Sequence, residues 1–253
     1  MQCEHLFIFN TRIDNYKRAK IIEKISFFLA GNTLAHIATI NPEILLRART
    51  DKRFRTILNA SALNVADGTG VFFAFLRYGC LLRTRFTGVE IMNYILSLAE
   101  KNGYRIFLVA YKDGLTSWQK TRDAILHAFP NILIDGCNIA SSYENLSVSQ
   151  YSQLHKSDVV FVNFGAPAQE KFINACKKES ISKLRIGVGV GGAFDYIAGT
   201  LPRAPYFVQK MGMEWLFRFI VQPHRFKRIF RAVFLFPFFV LFTPKTIDRE
   251  GNN

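Results

Sequence analysis

"GVGVGGAFDYIAGTLPRAP", residues 187–205, sets Gly187-x-Gly189-x-x-Gly192 directly after the β-branched pair around Ile186 and Val188. That spacing is shared with dinucleotide-binding turns. A dinucleotide reading also demands a second strand about ten to twenty residues on, ending in an acid for the ribose. The chain continues instead as "AFDYIAGTLPRAPYFVQKMGMEW", with Pro202 and Pro205, no strand-like run, and Glu214 in a helical context. An NAD-dependent oxidoreductase is therefore disfavoured. What is left is a tight strand-to-helix turn, whose glycines either permit close packing or offer backbone N–H groups to a different phosphate ligand.

Upstream of this turn, short β-rich apolar runs alternate with longer amphipathic stretches. The runs are "LFIF" (6–9), "LAHIATI" (34–40), "LNV" (63–65), "RIFLVA" (105–110), "NILID" (131–135), "DVVFVNF" (158–164) and "LRIGVGV" (184–190). Between them lie segments such as "GVEIMNYILSLAEKNG" (88–103), where Ile91, Ile95, Leu98 and Ala99 share a helical face and Gly103 marks the end. Strand, helix, strand repeated in this way predicts an α/β fold: a mostly parallel, Rossmann-like sheet covered by helices. Near residue 203 the pattern changes and the chain becomes basic, aromatic and helical. We divide it into a core (1–202) and a C-terminal helical appendage (203–253).

The chain carries 33 Lys and Arg against 19 Asp and Glu, a net charge of +14, which calls for an anionic partner: nucleic acid, a phosphate-bearing ligand or an anionic membrane. Cys3, Cys80, Cys137 and Cys176 are scattered without C-x-x-C spacing, indicating neither a zinc site nor a disulfide framework and favouring a reducing, cytoplasmic setting. The first thirty residues are interrupted by Arg12, Asp14, Lys17, Arg18, Lys20, Glu23 and Lys24, so they form neither a signal-peptide core nor a spanning helix.

In open parallel sheets ligands bind beyond the carboxyl ends of the strands. The polar residues in such places are Thr39 and Asn41 after the second run, Asp67 in "ADGTG" after the third, and Gln169 with Glu170 after "DVVFVNF". Turn chemistry alone accounts for some of these: Asp67 also suits an N-cap before Gly68, and Pro167 suits a first helical position just ahead of Gln169.

Five blocks in order, "TINPEIL" (39–45), "NVADGTGVFFA" (64–74), "RFTGVEIM" (85–92), "FGAPAQEKFI" (164–173) and "GVGGAFDYIAGTLPRAPYFVQKMGMEWLFRFIVQPHR" (189–225), resemble the WecG/TagA/CpsF family of bacterial glycosyltransferases over roughly residues 5–231. The resemblance implies inverting transfer of a sugar from a UDP-sugar to a polyprenyl-diphosphate-linked saccharide, in the synthesis of cell-envelope polysaccharide. The sugar would be N-acetylmannosamine, its uronic acid, or a related hexose or uronic acid. It implies Asp67 as catalytic base, Thr39, Asn41, Arg85 and Gln169 in the substrate pocket, and Arg218, Arg225 and Arg228 approaching the diphosphate. Where the family reads Ser-Pro-Lys-Gln-Glu this chain has Ala166-Pro167-Ala168-Gln169-Glu170, losing the lysine and keeping the glutamine.

The chemistry requires such groups. A single displacement at the anomeric carbon needs a base for the acceptor hydroxyl and cations or N–H groups for the departing diphosphate. No Asp-x-Asp pair occurs in the chain, so we expect no cofactor and no metal, with arginine serving the phosphates bidentately.

From Arg203 to Arg231 there are seven basic residues and one acid, leading into "AVFLFPFFVLF" (232–242), eleven uncharged residues interrupted by Pro237. That run is too short to span a bilayer, which takes about twenty. Basic residues beside an aromatic apolar segment fit a helix lying on an anionic membrane surface, and equally a core helix with an adhesive tail; a lipid-borne acceptor favours the membrane. The expected location is cytoplasmic, peripheral on the inner face of the membrane, with homo-oligomers left open. Arg218, Arg225 and Arg228, seven and three apart, would share one side of a continuous helix, but Pro223 is expected to interrupt it and leave the shared face approximate. Arg47, Arg49, Lys52, Arg53 and Arg55 read as a solvated helix surface. A basic nucleic-acid-binding protein is the remaining alternative, although no nucleic-acid motif accompanies the charge.

Overall fold

The computed structural model describes residues 3–179, 181, 183–202, 204–205, 207–208, 214–223 and 226–244, with Glu214 and Arg218 described for backbone only. It opens with a hairpin, β1 (His5–Ile8) and β2 (Thr11–Asp14), whose two turn residues Phe9 and Asn10 both have positive φ (52° and 60°). That is the backbone of a tight hairpin turn matched to strand twist. The alternating pattern gives no sign of β2, because Arg12 and Asp14 interrupt it. Asp14 is nevertheless buried, hydrogen-bonded to His5 Nδ1 (2.8 Å) and the backbone N–H of Asn64 (2.7 Å) and ion-paired with Arg12 Nε (3.1 Å).

Six further strands are parallel: β3 (Ala35–Ile40), β4 (Leu63–Ala66), β5 (Arg105–Tyr111), β6 (Leu133–Ile139), β7 (Val159–Val162) and β8 (Ile186–Gly189). They join the hairpin in one sheet of order β1-β2-β4-β3-β8-β7-β5-β6, which bears out the expected mostly parallel α/β fold. Strand alternation sorts the core. Ile106, Leu108, Val159 and Phe161 face one side, while Phe107, Val109, Val160 and Val162 face the other. On the first side lie α1 (Arg18–Ala30), α5 (Gly88–Asn102), α6 (Trp118–Ala128) and α9 (Ala193–Ile197). The second carries α2 (Pro42–Thr50), α3 (Lys52–Asn59), α4 (Thr69–Arg77), α7 (Val148–His155) and α8 (Ala168–Lys178). Helix α5 follows its sequence signals, starting in a Thr87/Glu90 capping box and ending at left-handed Gly103.

Two boundaries move. Strand β6 was expected over 131–135 and occupies Leu133–Ile139, because the turn-like "DGCN" pairs residue by residue with β5. A Cβ at Gly136 would lie 2.5 Å from the Leu108 carbonyl, so this glycine marks a close approach inside the strand. Pro167 is the N-cap of α8 rather than its first residue, and its peptide bond with Ala166 is cis.

The glycine run resolves as packing. A Cβ at Gly187 would stand 2.6 Å from Ile173, and one at Gly189 2.5 Å from Gln169, both on α8. Among the described residues no strand follows β8, as a dinucleotide unit would require.

The C-terminal region is helical, as expected. Helix α10 (Glu214–Val221) stops at Gln222 and Pro223, α11 (Phe226–Phe230) runs into one wide π turn (Arg231–Leu235), and α12 (Phe236–Phe242) follows. Arg218 and Arg228 therefore sit on separate helices, not on one side of a continuous one; Arg225 lies outside the described residues. Pro237 opens α12 rather than breaking it, since first-turn N–H groups need no helical acceptor.

Helix α12 is partly a core element. Phe236 and Val240 are fully buried with β1, α2 and α4, and Phe236 meets Phe9 edge-on at 5.9 Å. The Arg49 guanidinium lies 3.8 Å from the Phe239 ring centre while remaining exposed, as a solvated arginine surface predicts, whereas Arg55 is half-buried and donates to the Ala48 carbonyl. A disulfide joins Cys3 to Cys80, a pairing the scattered spacing did not indicate; it links the start of β1 to the turn after α4. No helix among the described residues is long and apolar enough to cross a membrane.

Candidate active site

The connection from β3 leads one way along the sheet to β4, and that from β5 leads the other way to β6. A crevice opens between, at the carboxyl ends of the strands. It is a cleft of about 410 Å³ with Thr39, Asn41, Asp67, Asp113, Asn163 and Asp195 among its walls. A groove of about 320 Å³ adjoins it, walled by Gly68, Arg85, Trp215, Ile229, Val233 and Pro237. Asn41, Glu43, Asp67 and Arg228 line both, so they mark the junction.

Asp67 follows β4, its backbone N–H held by the Ile40 carbonyl at 2.7 Å. The N-cap of α4 is Gly68 (φ 87°), one position after Asp67. A Cβ at Gly70 would lie 2.6 Å from the Pro42 ring, so the start of α4 presses against the start of α2 and fixes the junction's width. Asn41 caps α2, its side-chain oxygen accepting from the Ile44 N–H at 3.0 Å. Thr39 is buried (6 % exposed) and its hydroxyl donates to the Gly189 carbonyl at 3.3 Å, tying β3 to β8 at the cleft floor. Arg85 is held at the groove because its neighbour Phe86 donates to the Ala66 carbonyl at the end of β4.

Gln169 lines the cleft from α8, 3 % exposed. Its side-chain oxygen accepts from the N–H groups of Gly165 and Gly191, each at 3.1 Å, and its amide nitrogen donates to Glu170 Oε1 at 2.8 Å. Glu170 is fully buried; desolvation pushes its carboxyl up to about 7 against the opposing hydrogen bond from Gln169.

Arg228 reaches back from α11 to Glu43 on α2, with Nε at 2.9 Å and a terminal nitrogen at 2.7 Å from the carboxylate oxygens. Of the two other appendage arginines, Arg218 is placed by its backbone in α10 and Arg225 lies outside the described residues. The structure thus brings Thr39, Asn41, Asp67, Arg85, Gln169 and Arg228 to the two cavities.

Sequence reasoning missed Glu43, Asp113, Asn163 and Asp195. Asp195 is buried inside α9 and accepts from the Thr116 hydroxyl at 2.7 Å. Its place immediately beyond the glycine turn was the available signal. Asn163 ends the β7 run and accepts from the Tyr111 N–H at 2.7 Å, holding the β5 and β7 exits together. The charged residues of the cleft wall are the acids Glu43, Asp67, Asp113 and Asp195 with one cation, Arg228 at the junction, whereas Arg85 stands on the groove side. Among the described residues no three His, Cys, Asp or Glu side chains cluster so as to hold a metal ion.

Comparison with known proteins finds a match to the model of the glycosyl transferase WecG/TagA/CpsF family over residues 6–250. Relatives include an N-acetylglucosaminyldiphosphoundecaprenol N-acetyl-beta-D-mannosaminyltransferase of Staphylococcus aureus strain MRSA252, 31% identical over 224 residues, spanning 88% of this chain and 87% of the relative. The proteins of the same name from strains NCTC 8325 and COL are 30% identical over the same share of each chain.

Proposed function

This chain belongs to the WecG/TagA/CpsF family of glycosyltransferases, and on that premise we propose that it moves a sugar from a UDP-sugar to a saccharide carried on polyprenyl diphosphate, with inversion. The observation that carries this reading is the placement of Asp67 at the junction of two unlike cavities. The cleft on one side is polar and formed by strand ends, as suits a nucleotide-sugar. The groove on the other is walled by Trp215, Ile229, Val233 and Pro237 and leads to the appendage, as suits a lipid-linked acceptor.

In this reading the donor's diphosphate lies at the groove-side edge, where the planar guanidinium of Arg85 can bind phosphate oxygens in pairs and Arg228, with one edge held by Glu43, offers its remaining N–H groups. Asp67 takes the proton of the acceptor hydroxyl as that oxygen attacks the anomeric carbon and the bond to UDP breaks. The arginines stabilise the charge that develops on the departing diphosphate. Arginine here takes the electrostatic role that a metal has in many nucleotide-sugar enzymes, and no cofactor is required. The donor is N-acetylmannosamine or a related hexose or uronic acid, and the relatives' name favours the first.

We assign the membrane contact to the appendage. Ile220, Phe226, Phe230, Phe234, Phe238 and Phe242 are exposed, Phe242 by 74 %, beside Lys227, Arg228 and Arg231. Aromatics next to basic residues suit the interface of an anionic bilayer, here the inner face of the cytoplasmic membrane.

The test is release of UDP from a panel of UDP-sugars, with and without a short-chain polyprenyl-diphosphate-linked N-acetylglucosamine acceptor. Acceptor-dependent release from one UDP-sugar is expected. No acceptor-dependent release from any of them would overturn the assignment of donor and acceptor.

A further inference from the structure

Glu170 is a fully buried carboxyl that the transfer chemistry above does not use. We propose that Glu170 is a positioning residue for glycosyl transfer, acting through Gln169 to hold together the two glycine loops that wall the cleft.

The orientation of the Gln169 amide is dictated by its surroundings. Two backbone N–H groups, of Gly165 after β7 and Gly191 after β8, converge on one side-chain atom at 3.1 Å each, so that atom must be the oxygen. The other end is then an NH₂ group, buried over Gly189 where no Cβ could fit, and it needs an acceptor. Glu170 Oε1 supplies one at 2.8 Å. Both loop glycines have positive φ (78° and 50°), one of several conformations open to glycine, so the bonds to Gln169 select it at the cost of glycine's freedom.

The second oxygen, Glu170 Oε2, has no hydrogen-bond partner among the described residues, so the carboxyl is kept at a desolvation cost that an apolar side chain would avoid. Packing therefore does not explain a carboxyl here; the acceptor it offers to Gln169 does. Removing that acceptor leaves the Gln169 NH₂ unpaired, frees the amide to turn, and releases the Gly165 and Gly191 N–H groups together.

Two substitutions separate this role from a structural one. Glu170→Gln keeps a carbonyl oxygen for Gln169, whereas Glu170→Leu fills the space and offers none. Hydrogen exchange on the ligand-free protein should be faster by about tenfold at Gly165 and Gly191 in the Leu variant, the scale of one buried bond lost. The Gln variant should stay within about twofold of the parent, by the same reasoning. For transfer, Glu170→Leu should lower kcat/KM for the donor by a similar factor without lowering the melting temperature. It should have no further effect in a Gln169→Leu background, since the residue acts only through Gln169.

Unchanged exchange at both glycines in the Leu variant would overturn the proposal. So would equal damage from Gln and Leu, or a full additional loss in the Gln169→Leu background. If Glu170→Leu does not fold, Glu170→Met, unbranched and similar in length, takes its place. The exchange measurement needs no substrate: if no UDP-sugar supports transfer, the donor assignment falls while the role of Glu170 is still decided.

Discussion

Asp67 is partly exposed at the boundary of the two cavities, and its backbone is fixed from both sides, by the Ile40 carbonyl and by the contact of Gly70 with Pro42. A general base needs a rigid main chain that presents its carboxylate at a cavity wall, and Asp67 lines both cavities. Asp67→Asn preserves shape and removes basicity. It should leave UDP binding and thermal stability near the parent values and lower turnover by about a hundredfold or more, measured as UDP release with acceptor present. Turnover at the parent rate would reduce Asp67 to a turn residue. Gln169 shows a different use of a polar side chain: its amide is engaged by Gly165, Gly191 and Glu170, so it shapes the wall from within the protein.

At the level of elements, α12 presents two faces with opposite duties. Phe236→Ala opens a cavity under the hairpin and should cost about 3–5 kcal/mol of stability in chemical denaturation. Phe238→Ser with Phe242→Ser alters only exposed rings, so it should leave stability unchanged. Its affinity for anionic vesicles should fall by about tenfold in cosedimentation, from loss of apolar area at the interface. Equal destabilisation by both sets would mean that the exposed face is not a separate binding surface. Most of the sheet was legible because parallel strands buried on both faces read as apolar runs, such as "DVVFVNF". Strand β2 was hidden because a buried Asp14 with three partners looks in sequence like any loop acid. The candidate site was legible where residues follow strands, as Thr39, Asn41 and Asp67 do. Glu43 was passed over because its importance comes from a partner brought in by the fold, Arg228, and Glu170 was noted only for its place after a strand, its bond to Gln169 being visible only in the fold.

Across the whole molecule, the Arg228–Glu43 pair connects the appendage to the core at the cavity junction. If Arg228 serves the leaving diphosphate, Arg228→Ala should slow transfer even to a water-soluble acceptor, raising the barrier by roughly 2–4 kcal/mol. Activity lost only with acceptor in a bilayer would make this arginine an anchor instead. The burial of Phe236 against Phe9 also has a consequence for biosynthesis. The underside of the first hairpin is completed by a residue made more than two hundred positions later. At ribosomal speeds of about 5–20 residues per second, that hairpin waits on the order of 10–50 s with apolar surface uncovered. The nascent chain in that interval offers that surface to chaperones, and the segment that covers it is the same one whose outer face, with Phe238 and Phe242, stays exposed in the folded protein.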